Sequence, residues 1–318
     1  MNFAGYVCKF TDVLYNMEIR ITGAHSGKTV RDWFYENAFS NNQIKRLKSL
    51  DDGIILNGER VTVRHLLSDG DILSLRISDD KDNPALVPTE MPITVLYEDD
   101  DMIALDKPGN IPTHPSHGHF TDTLANGLAF MFAERREPFV FRAVNRLDRG
   151  TSGVVLVAKN SKAAADLSER MKRGEIHKTY YAIVNGSPNP RSGIIDKPIR
   201  RAGDSIITRE VCDLNSPGAK RAVTGYQVEF SGDGWSLLKL EPITGRTHQL
   251  RVHLASIGCP IAGDGLYGTA ETLPTAIDRA FRRPALHCRE LRVSLSGREI
   301  TVLAPLPADF LAVEKFGL

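Results

Sequence analysis

The sequence of 318 residues is 42% hydrophobic and 25% charged and contains no low-complexity tract, which excludes a disordered or fibrous chain and allows a sizeable buried core. The net charge of +1 gives no bulk argument for nucleic acid: residues 1–80 carry 10 basic against 11 acidic side chains, a net −1, and the other 238 carry 30 against 28, a net +2. Cys8, Cys212, Cys259 and Cys288 are scattered, with neither metal-ligand nor disulfide-framework spacing, and read as reduced thiols of a cytoplasmic protein.

Asp12 and Glu18 interrupt the apolar stretches near the start, so neither a membrane span nor a secretory leader is expected there. The run Gly23-Ala24-His25-Ser26-Gly27-Lys28-Thr29 imitates a phosphate loop but has three residues between its glycines instead of four, and Thr22 fills the required glycine position. An NTPase is therefore set aside. Thr29 reads as the N-cap of a helix that buries Val30, Trp33 and Phe34. Ser40 and Gln43 read as a capping box for a second helix, with Ile44 and Leu47 inward and Lys45, Arg46 and Lys48 on or near its outer face. Ile54, Ile55 and Leu56 then lead through an Asn57-Gly58 hairpin turn to Val61 and Val63, and Leu73, Leu75 and Ile77 alternate as a further strand. Two short helices, a tight turn and small strands over residues 28–77 resemble the RNA-binding module named after the fourth small-subunit ribosomal protein. That resemblance implies that Lys45, Arg46 and Lys48 contact RNA.

A polar, proline-punctuated stretch follows, from which we place a small module at residues 1–80, a linker at 81–91 and a larger domain at 92–318. In the larger domain, residues 93–97 and 102–105 read as strands paired across the acidic turn 98–101. Residues 153–158 form an apolar, β-branched run typical of a strand buried on both faces. Asn160 or Ser161 caps a helix with Ala164, Leu167 and Met171 inward, closed by Lys172-Arg173-Gly174. Residues 180–184 and 237–240 read as strands, and Leu250, Leu254 and Ile257 as a helix closed by Gly258 and Pro260. Strands outnumber helices without alternating with them. The expected class is α+β: a large mixed, mainly antiparallel sheet preceded by a small α/β module.

His114, His117 and His119 lie in a proline-containing loop with no cysteine or carboxylate nearby to complete a metal site, and Gly150-Thr151-Ser152-Gly153 has the wrong spacing for a hydrolase elbow. The informative stretch is Asn145-Arg146-Leu147-Asp148-Arg149-Gly150-Thr151-Ser152-Gly153. A carboxylate between two arginines at the mouth of a core strand stays ionised and reachable, which suits a nucleophile or a base and equally an ordinary surface ion pair.

Four blocks in order resemble the RluA-type RNA pseudouridine synthases: Lys107-Pro108 with His114-Pro115; Arg146-Leu147-Asp148 with Thr151-Ser152-Gly153; Lys178-Thr179-Tyr180; and residues 244–253 (TGRTHQLRVH) continuing to Gly263-Asp264. Asn145 and Gly150 depart from the usual histidine and aspartate of that family, and Asn110 from a usual glycine. The resemblance implies an isomerase that acts on RNA, with large-subunit ribosomal RNA or transfer RNA as substrate. It implies a pseudouridine synthase catalytic domain that needs no cofactor, because breaking the ribose–uracil bond and rejoining it through carbon 5 involves no redox change or group transfer; a monomer is expected. Asp148 is then the catalytic nucleophile on the anomeric carbon or the base at the 2′ position. Arg251 pairs with it by two-point hydrogen bonding. Tyr180 abuts the uracil and assists proton removal at carbon 5. Arg146 fills the place of the flipped-out base, and Lys178, Lys107, His114 and Arg246 are expected to bind substrate. A non-catalytic RNA-binding protein of the same fold is the competing reading.

Overall fold

The computed structural model describes residues 14–312, apart from 38, 40, 79–85, 117, 204, 206, 269–274 and 296–297. The chain divides into two compact units, Met1–Ala85 and Leu86–Leu318.

In the first unit, Thr29 caps the helix Val30–Glu36 in a reciprocal box with Asp32, and Val30, Trp33 and Phe34 are buried. The helix Asn41–Ser49 turns Ile44 and Leu47 into the same core. The capping box expected at Ser40 and Gln43 falls outside the described residues, as does the side chain of Arg46. The sheet is antiparallel, in the order Leu14–Arg20, Ile72–Ser78, Ile54–Leu56, Glu59–Arg60. Asn57 (φ 53°) and Gly58 (φ 87°) both take left-handed conformations, as a tight hairpin turn of the primed type needs. The returning strand ends at Arg60 instead of running through Val63. The carbonyls of Val63 and His65 accept from the amides of Arg31 and Val30, so the helix start takes the backbone groups a longer hairpin would use.

The second unit is built on a ten-stranded mixed sheet. Its path runs Ser192–Asp196, Val223–Ser231, Trp235–Pro242, Ile176–Asn185, Leu286–Leu295, Ser152–Ala158, Met102–Lys107, Thr94–Glu98, with Arg298–Leu303 beside Leu286–Leu295 and Arg142–Ala143 beside Ser152–Ala158. Among the described residues the single parallel pairing joins Leu286–Leu295 to Ser152–Ala158, with His287 opposite Ser152 and Cys288 opposite Gly153. Every residue of Ser152–Ala158 is buried. Gly153 sits at φ 109°, and a Cβ there would lie 2.1 Å from the Cys288 carbonyl oxygen, so this crossing tolerates only glycine.

Asn160 caps the helix Ser161–Arg173 and left-handed Gly174 (φ 74°) ends it. The helix Gln249–Ala255 is shorter than the 250–257 pattern suggested, and Ile257 packs beyond its end. A mostly buried helix at Leu124–Glu134 was not foreseen. Among the described residues no helix is long and apolar enough to cross a membrane.

Candidate active site

The loop 145–151 leads into the buried strand Ser152–Ala158, and side chains from distant segments hold its backbone. Asn145 imitates a strand neighbour: its Nδ2 donates to the Val154 carbonyl (3.1 Å) and its Oδ1 accepts from the Leu156 amide (2.7 Å). The Thr113 hydroxyl donates to the Leu147 carbonyl (2.9 Å) and accepts from the Leu147 amide (3.2 Å). Arg283, buried and forked onto Asp309 at 2.8 and 2.9 Å, donates from Nη1 to the Gly150 carbonyl (3.0 Å). At Gly150 a Cβ would come 2.7 Å from Pro284 Cδ, which gives the departure at this position a local steric reason.

Lys107 was expected to touch substrate. It is instead fully buried, and its ammonium donates to the carbonyls of Pro108 (2.9 Å), Ile111 (2.7 Å) and Arg149 (3.2 Å). Burial and the Arg283 charge push its pKa down to about 7, while the three acceptors favour the charged form. Its work is to hold the loop from behind.

What the loop leaves accessible is the Asp148 carboxylate, 30% exposed. Arg251 does approach it, with Nη1 3.6 Å from Oδ2, but the expected two-point grip lies elsewhere. Nε and Nη2 of Arg251 donate to Oδ2 and Oδ1 of Asp264, each at 2.7 Å. Asp264 is completely buried, with Oδ1 also accepting from the amides of Leu266 and Tyr267. A carboxylate removed from water needs its lone pairs filled by protein donors, so it captures the fork and leaves Asp148 the remaining nitrogen. Burial works against the Arg251 charge, yet the bonds to Asp264 and the charges of Asp264 and Asp148 outweigh it and raise its pKa.

Sequence reasoning missed His248. It stands in left-handed conformation (φ 57°) at the start of the helix Gln249–Ala255, with Nε2 3.9 Å from Asp148 Oδ2 and Nδ1 2.8 Å from the Tyr267 hydroxyl. The signal was present in the block Thr247-His248-Gln249, beside the arginine that drew attention. Gln249 explains the placement: its Oε1 accepts from Thr244 Oγ1 and the Arg246 amide, and its Nε2 donates to the Val223 carbonyl, tying the turn to the sheet.

Asp148, Tyr180, Arg251, Arg146, Lys178, His114 and Arg246 line one cavity of about 1040 Å³. Tyr180, on the strand Ile176–Asn185, is buried, with the Cys288 thiol among its neighbours. Burial foremost raises its pKa well above the ordinary phenol value, so the neutral phenol is favoured. Burial likewise lowers the pKa of Lys178, whose ammonium lies 3.8 Å from Met171 Sδ. His114 is half-buried, its pKa lowered by burial and by the Arg146 charge. Arg146 and Arg246 are exposed at the rim. Lys45 and Lys48 are exposed on the first unit. Among the described residues no three His, Cys, Asp or Glu side chains cluster as a metal site; contrary to the expectation that no carboxylate lies near these histidines, Asp122 pairs with His119 at 2.5 Å, and His117 lies outside the described residues.

Residues 101–256 match the family model described as RNA pseudouridylate synthase. The chain is 33% identical over 289 residues to an uncharacterized RNA pseudouridine synthase of Bacillus subtilis, covering 90% of this chain and 98% of that protein. It is 36% identical to the ribosomal large subunit pseudouridine synthase D of Xanthomonas campestris, over 80% of this chain and 78% of the other. The solved structure of human RNA pseudouridylate synthase domain containing 4 is similar at a TM-score of 0.58 and 28% identity, spanning 70% of this chain and 92% of that one.

Proposed function

The chain belongs to the RluA-type RNA pseudouridine synthases, enzymes that isomerise uridine to pseudouridine in RNA, and on that premise we propose that Asp148 is the attacking residue and large-subunit ribosomal RNA the substrate. The observation that carries the assignment is the contrast within the cavity: the backbone around Asp148 is pinned, while its carboxylate is part-exposed beside Arg251 and His248. A group fixed in place but open to the cavity suits attack on a flipped nucleotide. Arg251 supplies one cationic contact to the Asp148 carboxylate, Nη1 to Oδ2 at 3.6 Å. Tyr180 offers its ring to the uracil as a neutral phenol, Arg146 at the rim fills the place left by the flipped-out base, and Arg246, Lys178 and His114 bind the substrate RNA.

The ribosomal substrate is inferred from the Xanthomonas relative, and the first unit is assigned to RNA binding through Lys45, Arg46 and Lys48. The enzyme works as a cytoplasmic monomer with no cofactor.

Two measurements test this. Asp148→Asn keeps shape and removes charge; we expect it to bind RNA while releasing at least about a thousandfold less tritium from RNA labelled at uracil carbon 5. Turnover within tenfold of wild type removes Asp148 from the chemistry. Mapping pseudouridines by carbodiimide-stop sequencing, with and without the gene, should show loss at a large-subunit ribosomal site; loss confined to transfer RNA would reassign the substrate.

A further inference from the structure

We propose that His248 is a positioning residue for Asp148, set by Tyr267 as the tautomer whose Nε2–H faces the carboxylate. The proposal rests on the reading of Asp148 given above and concerns a residue to which that reading gives no role. The direction of each hydrogen bond carries it. The Arg209 backbone amide lies 2.9 Å from the Tyr267 hydroxyl oxygen and can only donate to it. That oxygen is also 2.8 Å from His248 Nδ1. Among the described residues Nδ1 of His248 is the one acceptor within hydrogen-bond reach of the Tyr267 hydroxyl, whose other contact is a donor, so the phenol proton goes to Nδ1, which then accepts. A neutral imidazole accepting at Nδ1 carries its hydrogen on Nε2, and Nε2 is the atom 3.9 Å from Asp148 Oδ2.

Several groups hold this arrangement. Asp264 accepts the Tyr267 amide, and the Tyr267 ring lies 4.9 Å under the Arg251 guanidinium, so one buried carboxylate sets both partners of Asp148. The charged and titratable groups facing His248 are Asp148, Arg251, Arg209, Asp264 and Tyr267. Burial first, then Arg251 and Arg209, lower its pKa against the pull of Asp148 and Asp264, which leaves the ring neutral near pH 7.

The consequence concerns which oxygen reacts. Both Nη1 of Arg251 and Nε2 of His248 approach the same atom, Oδ2. Closing the 3.9 Å gap between Nε2 and Oδ2 would make that contact a hydrogen bond and leave Oδ1 for the uridine. Protonation of His248 would set a new Nδ1–H against the Tyr267 proton and place a second cation beside Asp148, weakening it as nucleophile or base. Activity should therefore fall as pH drops through a value below 6.5, the ordinary histidine pKa.

The test uses the full chain. Nitrogen-15 spectra of the imidazoles should show His248 protonated at Nε2; an Nδ1–H tautomer overturns the proposal. In single-turnover tritium release, His248→Ala should lower the rate about tenfold with RNA affinity unchanged, the effect of losing one hydrogen-bond donor. His248→Gln, which keeps an N–H but cannot titrate, should stay within about threefold of wild type and lose the acid limb. Tyr267→Phe should keep its ring under Arg251 and show a mixture of tautomers. A wild-type rate in His248→Ala, or an intact acid limb in His248→Gln, overturns the role. If His248→Ala does not fold, the spectra and the glutamine variant decide. Asp148→Asn separates the two layers: if it remains active the assignment of Asp148 fails, and if it is dead while both His248 variants match wild type only this inference fails.

Discussion

The loop 145–151 and the helix Asn41–Ser49 both present charge, but they are built in opposite ways. Around the loop, Lys107, Thr113 and Arg283 each donate to one of its backbone carbonyls, so that one carboxylate stands out from a fixed frame. In the helix, Ile44 and Leu47 make the attachment through apolar burial, and Lys45 and Lys48 project into solvent. Precision requires neighbours that restrict a side chain; affinity for a polyanion requires only charge within reach. Substitutions around the loop should therefore change rates, and substitutions on the helix should change binding.

The sharpest break in that contrast is Asp264→Asn, which never touches substrate in our reading. It strips Arg251 of its buried counter-charge, and we expect about 3 to 5 kcal/mol of lost stability. The rate should fall about a hundredfold in protein that remains folded, because the partners of Asp148 shift. Equal rates in wild type and variant would show that the Asp264 grip is irrelevant to the chemistry.

Lys107→Met comes next. Three carbonyls lose their donor, which should cost about 2 to 3 kcal/mol in denaturant unfolding and about tenfold in rate. RNA affinity should not move. A loss of affinity at unchanged stability would restore Lys107 as a substrate contact.

On the helix, the double substitution Lys45→Ala/Lys48→Ala should leave the single-turnover rate at saturating RNA intact and weaken binding a few fold. The salt dependence should flatten by up to about two phosphate contacts. Identical salt titrations would make the helix a solvated face and nothing more. The smallest expected effect is none: dialysis against a chelator should leave activity on a short unstructured RNA unchanged, and recovery only with added zinc or magnesium would reopen a metal role.

The same contrast governs what could be read before the fold was known. The helix Val30–Glu36 and the strand Ser152–Ala158 announce themselves because caps, periodicity and β-branching act over a few residues. The helix Leu124–Glu134 does not: it is apolar on nearly every side, so it carries no stripe to detect. Arg251 was identified, but its true partner Asp264 lies 13 residues further on, and only the folded turn brings them together. Lys107 misled for a related reason. A lysine just past the expected strand 102–105 reads as a reaching side chain, whereas the structure places it at the end of Met102–Lys107, enclosed by carbonyls. Groups that face the cavity are legible as motifs; the groups that hold them are mostly settled by long-range packing.

The strand Leu286–Leu295 lies between Ile176–Asn185 and Ser152–Ala158, both of which precede it by more than a hundred positions in the numbering. During synthesis the two halves of the sheet must therefore wait, each with an unpaired edge, until the strand that joins them leaves the ribosome. Arg283, which reaches Gly150, arrives with it. The Asp148 loop therefore gains its Arg283 contact only after that later segment has been made. Chains truncated before Leu286 should stay sensitive to protease and inactive; a stable, active truncation would show that the sheet closes without its seam.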